Sequence, residues 1–259
     1  MLANTKPFIL ITGDDSIRSE GTILIKRIVA ADYDYQIIAT KEQQSGVGAK
    51  LSLTKAVGWG KELVDGHEAI WVDGTPADAV YFALEYLQRK PDLIISGVNM
   101  GSNLSEELFV SGTVCAATIG ANLGFKALAF SLVTDPLHWH KDHTGDLDIS
   151  FLDYPGKIAR RIIDQALHLD FPKKTFWNIN FPQQKTEEIR VVKAIPDPYY
   201  IHDLAITEGN FHYNIHKLDQ IDPDTDAGTI QQGFIAITPC KARYTELNRL
   251  AELKGHLEG

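Results

Sequence analysis

The chain has 259 residues, 44% of them hydrophobic and 23% charged, and a formal net charge of −9. That balance excludes a disordered or collagen-like chain, and the acidity argues against nucleic-acid polymers, which are bound through clustered Lys and Arg. Two cysteines, Cys115 and Cys240, are too few for a disulfide framework or a cysteine-rich zinc site; no apolar run approaches the roughly 20 residues that span a bilayer, and no basic region precedes a long apolar stretch, so a reducing cytoplasm with no membrane partner is expected.

Residues 8–12 (Phe-Ile-Leu-Ile-Thr) form a short β-branched apolar run, and Gly13-Asp14-Asp15-Ser16 closes it, which reads as a buried strand. Residues 21–32 carry apolar positions at close to helical spacing, and 35–39 read as a second strand. Strand, helix and strand in succession mark a parallel sheet with crossover helices. From 45 to 72 the pattern alternates and is broken by glycines, which predicts β-hairpins leaving the sheet. Thr75-Pro76-Ala77-Asp78 has a capping residue, a proline for the first helical position and an acid for the first turn, predicting a helix to Arg89. Leu93 to Ser96 is the next core strand, a helix of small residues runs from Ser111 through Asn122, and 127–132 form a fourth strand. Beyond Thr134 a helix is expected over 156–168, strands over 176–180, 190–194, 211–217 and 234–238, and a polar helix over 242–254. The fold class is therefore α/β: one domain over 1–259, with a Rossmann-like, mostly parallel core over about 8–135, β-hairpin excursions, and an elaboration over about 136–259.

Ligands of an open parallel sheet bind beyond the carboxyl ends of its strands. Three polar clusters follow predicted strands: Gly13-Asp14-Asp15-Ser16, Gln44-Ser45-Gly46-Val47-Gly48, and Asn99 to Asn103. Adjacent carboxylates at a partly desolvated strand end repel each other, and a divalent cation with a preference for hard oxygen relieves that repulsion. A lone Asp-Asp pair also suits a turn residue followed by a helix cap. Ser45 and Asn99 offer neutral oxygens, or simply satisfy loop amides. Ser111, Gly112 and Thr113 put backbone N–H groups and two hydroxyls at a helix start, which suits a phosphate or an ordinary cap. Neither a Gly-x-Gly-x-x-Gly nor a Walker-type loop is present.

In order and spacing, these segments resemble the SurE family of 5′- and 3′-nucleotidases. The matching stretches are Ile9 through Asp15, Gln44 through Gly48, Val72 through Asp78, Pro91 through Asn103, and Ser111-Gly112-Thr113-Val114; Asn178 through Pro182, Asp224-Thr225-Asp226 and Gly233 through Pro239 also look like later family segments. The resemblance implies a metal-dependent phosphomonoesterase that hydrolyses nucleoside monophosphates. It further implies one divalent cation per subunit, Mg²⁺ or Mn²⁺, on Asp14, Asp15, Ser45 and Asn99. Substrate contacts carry over onto Asn103, Ser111, Gly112 and Thr113, and a homodimer or homotetramer is implied. Where the family has Asn-Asp-Asp-Gly this chain has Gly13-Asp14-Asp15-Ser16, so an amide side chain is lost and a glycine able to take positive φ has become a serine.

Water attack assisted by Asp14 is the expected chemistry, with Ser111 as a covalent nucleophile the alternative. A second expectation, of a different class, is a nucleotide-binding protein weakened in catalysis by the changes at Gly13 and Ser16. His138-Trp139-His140-Lys141-Asp142-His143 reads as an exposed loop rather than a transition-metal site, and Cys115 as helix packing. Trp139, Tyr199 and Tyr200 suit either walls for a base or surface packing.

Overall fold

The computed structural model describes residues 6–134, 153–195, 199–218 and 221–242. In chain order it contains β1 (Phe8–Thr12), α1 (Glu20–Val29), β2 (Asp34–Thr40), β3 (Trp59–Val64), β4 (His67–Val72), α2 (Pro76–Tyr86), β5 (Leu93–Met100), α3 (Glu107–Val110), α4 (Gly112–Asn122) and β6 (Ala127–Leu132). The remainder supplies α5 (Asp153–His168), β7 (Thr175–Phe181), β8 (Ile189–Val191), β9 (Tyr200–Thr207), β10 (Asn210–Lys217), α6 (Asp226–Gln231) and β11 (Ile235–Lys241).

Nine strands form one sheet in the order β3-β4-β2-β1-β5-β6-β7-β11-β8, parallel except where β3 pairs with β4 and β11 with β7. Every residue of β1 and β6 is buried, as expected of strands covered on both faces. Side chains alternate between the two faces. Ile9 and Ile11 pack with Ile23 and Ile25 of α1 and Ile158 and Ile162 of α5. Leu10 and Ile94 pack on the other face with Val80 of α2 and Val114 and Ala117 of α4. The chain leaves β1 toward β2 on one side and returns through β5 on the other. The carboxyl ends of β1 and β5 therefore flank the point where strand order reverses, the place where such sheets open a crevice.

Several local expectations shift. The α2 helix ends at Tyr86 rather than Arg89, because Arg89 is drawn away to the Asp34 carboxylate at 2.8 Å and the Lys6 carbonyl. Between Ser45 and Val72 only one hairpin forms. The preceding loop is held instead by single tethers, Gly48 N to the Val110 carbonyl at 2.8 Å and Ser52 N to Asp78 Oδ1 at 3.0 Å. The β5 strand extends through Met100, with its register against β6 shifting between Ser96 and Asn99. The strand expected over 190–194 forms over Ile189–Val191 instead, and β10 pairs with an unforeseen β9 in a separate two-stranded sheet. The short α3 and α6 also escaped the periodicity, since four and six residues are too few to show one. The histidine-rich segment 138–143, with Trp139, lies outside the described residues, as does all but the first residue of the expected terminal helix.

Candidate functional site

Asp14, two residues past the end of β1, carries a buried carboxylate, and Asp15 beside it is half-buried. The Asp14 carbonyl accepts the Gln44 N–H at 2.7 Å, which brings the Ser45 loop to the end of β1. The Asp14 side chain turns toward the first turn of α4, where the Thr113 hydroxyl donates to its Oδ1. A carbon added at Gly112 would lie 2.7 Å from Asp14 Cβ and 2.8 Å from Oδ2, so only glycine permits this seat. Burial pushes the Asp14 carboxyl up from its ordinary range. The Thr113 hydroxyl and the backbone hydrogen bonds of Asp14, Thr113 and Gly112 oppose that push.

Asp15 Oδ2 accepts the Met100 N–H at 3.4 Å, which ties the second carboxylate to the end of β5. Asn99, one residue earlier, donates its Nδ2 to the Gly101 carbonyl at 2.9 Å, leaving the carbonyl arm of the amide to accept. Ser45 is exposed, and its hydroxyl oxygen accepts from Gln43 Nε2 at 2.7 Å. The Gly48 N–H bonds Val110, so the same loop also reaches the α3–α4 junction. Four polar segments, at Asp14–Asp15, Ser45, Asn99 and Ser111 to Thr113, thus share one edge of the sheet. Among the described residues no three His, Cys, Asp or Glu side chains gather in one place. The donors on this edge are therefore two carboxylates and neutral oxygens, a set that fits a hard divalent cation and not a thiolate-bound one.

Ser111 caps α4, its Oγ accepting the Val114 N–H at 3.1 Å. Asn103 is placed differently from the other candidates. Its Nδ2 donates to Ser131 Oγ at 2.7 Å, its N–H donates to Asn180 Oδ1 at 2.8 Å, and its carbonyl accepts from Asn178 and Asn180. It anchors the loop after β5 to β6 and β7. Asp226, fully buried, accepts Ser105 N–H at 3.1 Å and Ile195 N–H at 2.9 Å, pinning the same loop from the C-terminal part of the chain. Asn178, Asn180, Ser131 and Asp226 had no role assigned from sequence. The one available signal was two asparagines spaced by two in an otherwise apolar strand, polar groups that must find partners once buried.

Ser16 adopts φ 83 while fully buried. The turn thus keeps the left-handed conformation that glycine favours, and a β-carbon there costs roughly 1–2 kcal/mol. The Ser16 hydroxyl accepts the Arg18 N–H at 3.1 Å, and its carbonyl accepts the Thr22 hydroxyl at 3.1 Å, which recovers part of that cost. At Gly13 an added carbon would meet its nearest neighbour, Gly97 N, at an ordinary 3.5 Å. Cys115, one turn into α4, is a free buried thiol pushed up to about 11 by burial and then by the Asp14 charge, and so is inert. Tyr199 is buried, its N–H donating to Glu106 at 2.8 Å.

The family model described as Survival protein SurE matches residues 9–198. The chain belongs to the SurE family. The 5′-nucleotidase SurE of Pelotomaculum thermopropionicum is 31% identical over 266 residues, covering 95% of this chain and 93% of that one. That of Methanoculleus marisnigri is 31% identical with 98% of each chain covered. The crystal structure of the SurE protein from Aquifex aeolicus superposes with a TM-score of 0.80 at 25% identity, covering 98% of this chain and 100% of that chain. The SurE fold therefore extends over the C-terminal part as well, beyond the segments in which the carboxylates and the α4 turn lie.

Proposed function

We propose that this SurE-family chain is a metal-dependent phosphomonoesterase that hydrolyses nucleoside monophosphates, with one Mg²⁺ or Mn²⁺ per subunit on Asp14, Asp15, Asn99 and Ser45. The observation that carries the reading is Asp14 itself: a buried carboxylate beside a second one, at the sheet's switch point, in a chain whose relatives are named 5′-nucleotidases. A carboxylate so placed is costly unless a cation compensates it. The cation, when bound, supplies a Lewis acid for a phosphoryl oxygen and lowers the pKa of a water. The protein's part is to fix the donors. Thr113 holds Asp14, the Met100 N–H holds Asp15, the Gly101 carbonyl holds Asn99 and Gln43 holds Ser45.

Water is favoured over Ser111 as nucleophile, because Ser111 is buried and its oxygen already caps α4. Rapid quench with labelled substrate tests this; phosphoserine at position 111 would reverse it. The activity is tested by phosphate release from a panel of nucleoside monophosphates with Mg²⁺ or Mn²⁺, with EDTA, and with Asp14→Asn. Release that needs metal and Asp14 is expected, and no release from any nucleotide sinks the reading.

A homodimer or homotetramer is part of the same proposal. On β9 and β10, which form a separate two-stranded sheet among the described residues, the opposed pairs Leu204–Tyr213 and Ile206–Phe211 lie on one face, and all four residues are exposed. Two strands alone are marginal in water, and an apolar face of this kind favours cover by another chain. Light scattering of the wild type and of Ile206→Ser/Phe211→Ser tests it, with a smaller particle expected for the variant.

A further inference from the structure

We propose that the cavity beyond the carboxyl ends of β5, β6 and β7 receives the nucleobase of the substrate, and that Gln183, Gln184 and Gln231 read its edge, with adenine the base they match. The inference rests on the phosphomonoesterase reading above and extends it from the phosphate to the base.

Strand order places the cavity. β5, β6 and β7 run parallel and side by side, so their carboxyl ends open on the same edge of the sheet as Asp14 and Asn99. Backbone bonds make that edge continuous. The Gly101 N–H donates to the Leu132 carbonyl at 2.9 Å, and the Val133 N–H donates to the Phe181 carbonyl at 2.9 Å. Two strand spacings, roughly 10 Å, separate β5 from β7, a span within the reach of a nucleoside held by its phosphate. The cavity has a volume of about 540 Å³ and is bordered by Ser102 after β5, Val133 after β6 and Pro182 after β7. A space of that size holds a small-molecule ligand.

Its lining suits a neutral, planar group. Among the described residues no charged side chain borders it. Val133, Tyr199 and Ile230 pack in one apolar cluster and give it an apolar wall, the kind of surface on which a flat ring settles. Gln183, Gln184 and Gln231 border the same space at exposed positions, and among the described residues no hydrogen bond engages their amides. The neighbouring Gln232, by contrast, donates to the Pro223 and Gly228 carbonyls and accepts from Arg190. Gln184 rests on bare backbone, since a carbon added at Gly233 would lie 3.2 Å from its Oε1. A glutamine amide sets one donor beside one acceptor and so pairs with N6 and N7 of adenine; guanine shows two acceptors on that edge, which call for Arg or Lys. With amides present and no cation at hand, adenine is the better match.

The experiment compares the full-length wild type with Gln183→Ala/Gln184→Ala/Gln231→Ala, whose three positions are exposed. Phosphate release at saturating Mn²⁺ is followed with AMP, GMP and ribose 5-phosphate, and adenosine binding is measured by calorimetry. In the wild type kcat/KM is expected to fall in the order AMP, GMP, ribose 5-phosphate. In the triple variant kcat/KM for AMP is expected to drop about tenfold, with that for ribose 5-phosphate unchanged and adenosine binding weakened by a similar factor. Equal kcat/KM for AMP and ribose 5-phosphate in the wild type, or a triple variant that lowers both alike, would overturn the proposal and leave the phosphomonoesterase reading standing. A wild type that prefers GMP to AMP would overturn the match to adenine. If the wild type releases no phosphate from any of the three, that reading falls and adenosine binding decides alone. Binding that the triple variant loses then upholds the base site, and a wild type that binds no adenosine overturns it.

Discussion

Gly21 and Val98 are in such close contact that a β-carbon at position 21 would lie 1.8 Å from the Val98 carbonyl oxygen. The first turn of α1 is thereby seated on β5 within the register shift that precedes Asn99. Both partners in the contact are main chain, so neither can swing aside. Gly21→Ala is expected to cost about 3 kcal/mol or more, the upper range for overpacking. Urea unfolding checks this, and a loss below about 1 kcal/mol would mean that the helix slides freely on the strand.

Ser16 sets two effects against each other. Ser16→Gly relieves the left-handed φ 83 but gives up the Arg18 N–H contact and adds unfolded-state freedom, so its net effect is expected within about 1 kcal/mol of zero. Ser16→Ala keeps the strain and loses the acceptor, and should destabilise by about 1–2 kcal/mol. Thermal melts of the pair decide the matter, with the order glycine above alanine as the expected result.

Asp14 is disfavoured by its own burial. Its folded-state pKa lies above the ordinary 3.8, so the stability linked to its proton is present at low pH and is lost as pH rises from about 3.8 through the raised value. In EDTA at pH 7, Asp14→Asn is therefore expected to be at least as stable as the wild type, a cost typical of functional residues. Adding Mn²⁺ at about 100 times its Kd should stabilise the wild type by about 2.7 kcal/mol and the variant by far less. Calorimetric melts with and without Mn²⁺ measure both; equal shifts in the two proteins would remove Asp14 from the metal site.

Asp65 behaves in the opposite sense. It occupies φ 46 ahead of Gly66 in the turn between β3 and β4, and the Arg27 guanidinium, with Lys26, holds its carboxyl down at about 2. A depressed folded pKa contributes stability above the unfolded value of 3.8 that is lost as pH falls from there through about 2. Asp65→Asn preserves the turn, since Asn tolerates positive φ. It should cost about 1 kcal/mol at pH 7 once solvent screening is allowed for, only a small part of that at pH 2, and nothing well below it. Denaturant unfolding at pH 7 and at low pH tests both limits.

Much of the local architecture was legible before any fold was known. The apolar runs at 8–12 and 127–132 coincide with β1 and β6, the Thr75 and Asp78 capping box opens α2, and Ser111 caps α4. The mismatches lie where a distant partner outweighs a local preference, as when Asp34 pulls Arg89 out of the end of α2. A serine where the family has glycine could be noticed in the sequence, but only the backbone reveals that the turn kept its left-handed φ.

The pair at Asp14 and Asp15 shows where the division falls. By itself the sequence determined that two carboxylates follow a buried strand, and that polar clusters follow other strands at spacings similar to those of the SurE family, because strand, cap and turn signals depend on neighbours a few residues apart. Tertiary structure decided what each side chain does there. Asn103 faces inward to Ser131, and Thr113, 99 residues from Asp14, gives that carboxylate its proton donor. Contacts across such separations depend on strand order and register, and those are set by how both faces of the whole sheet bury their apolar side chains together.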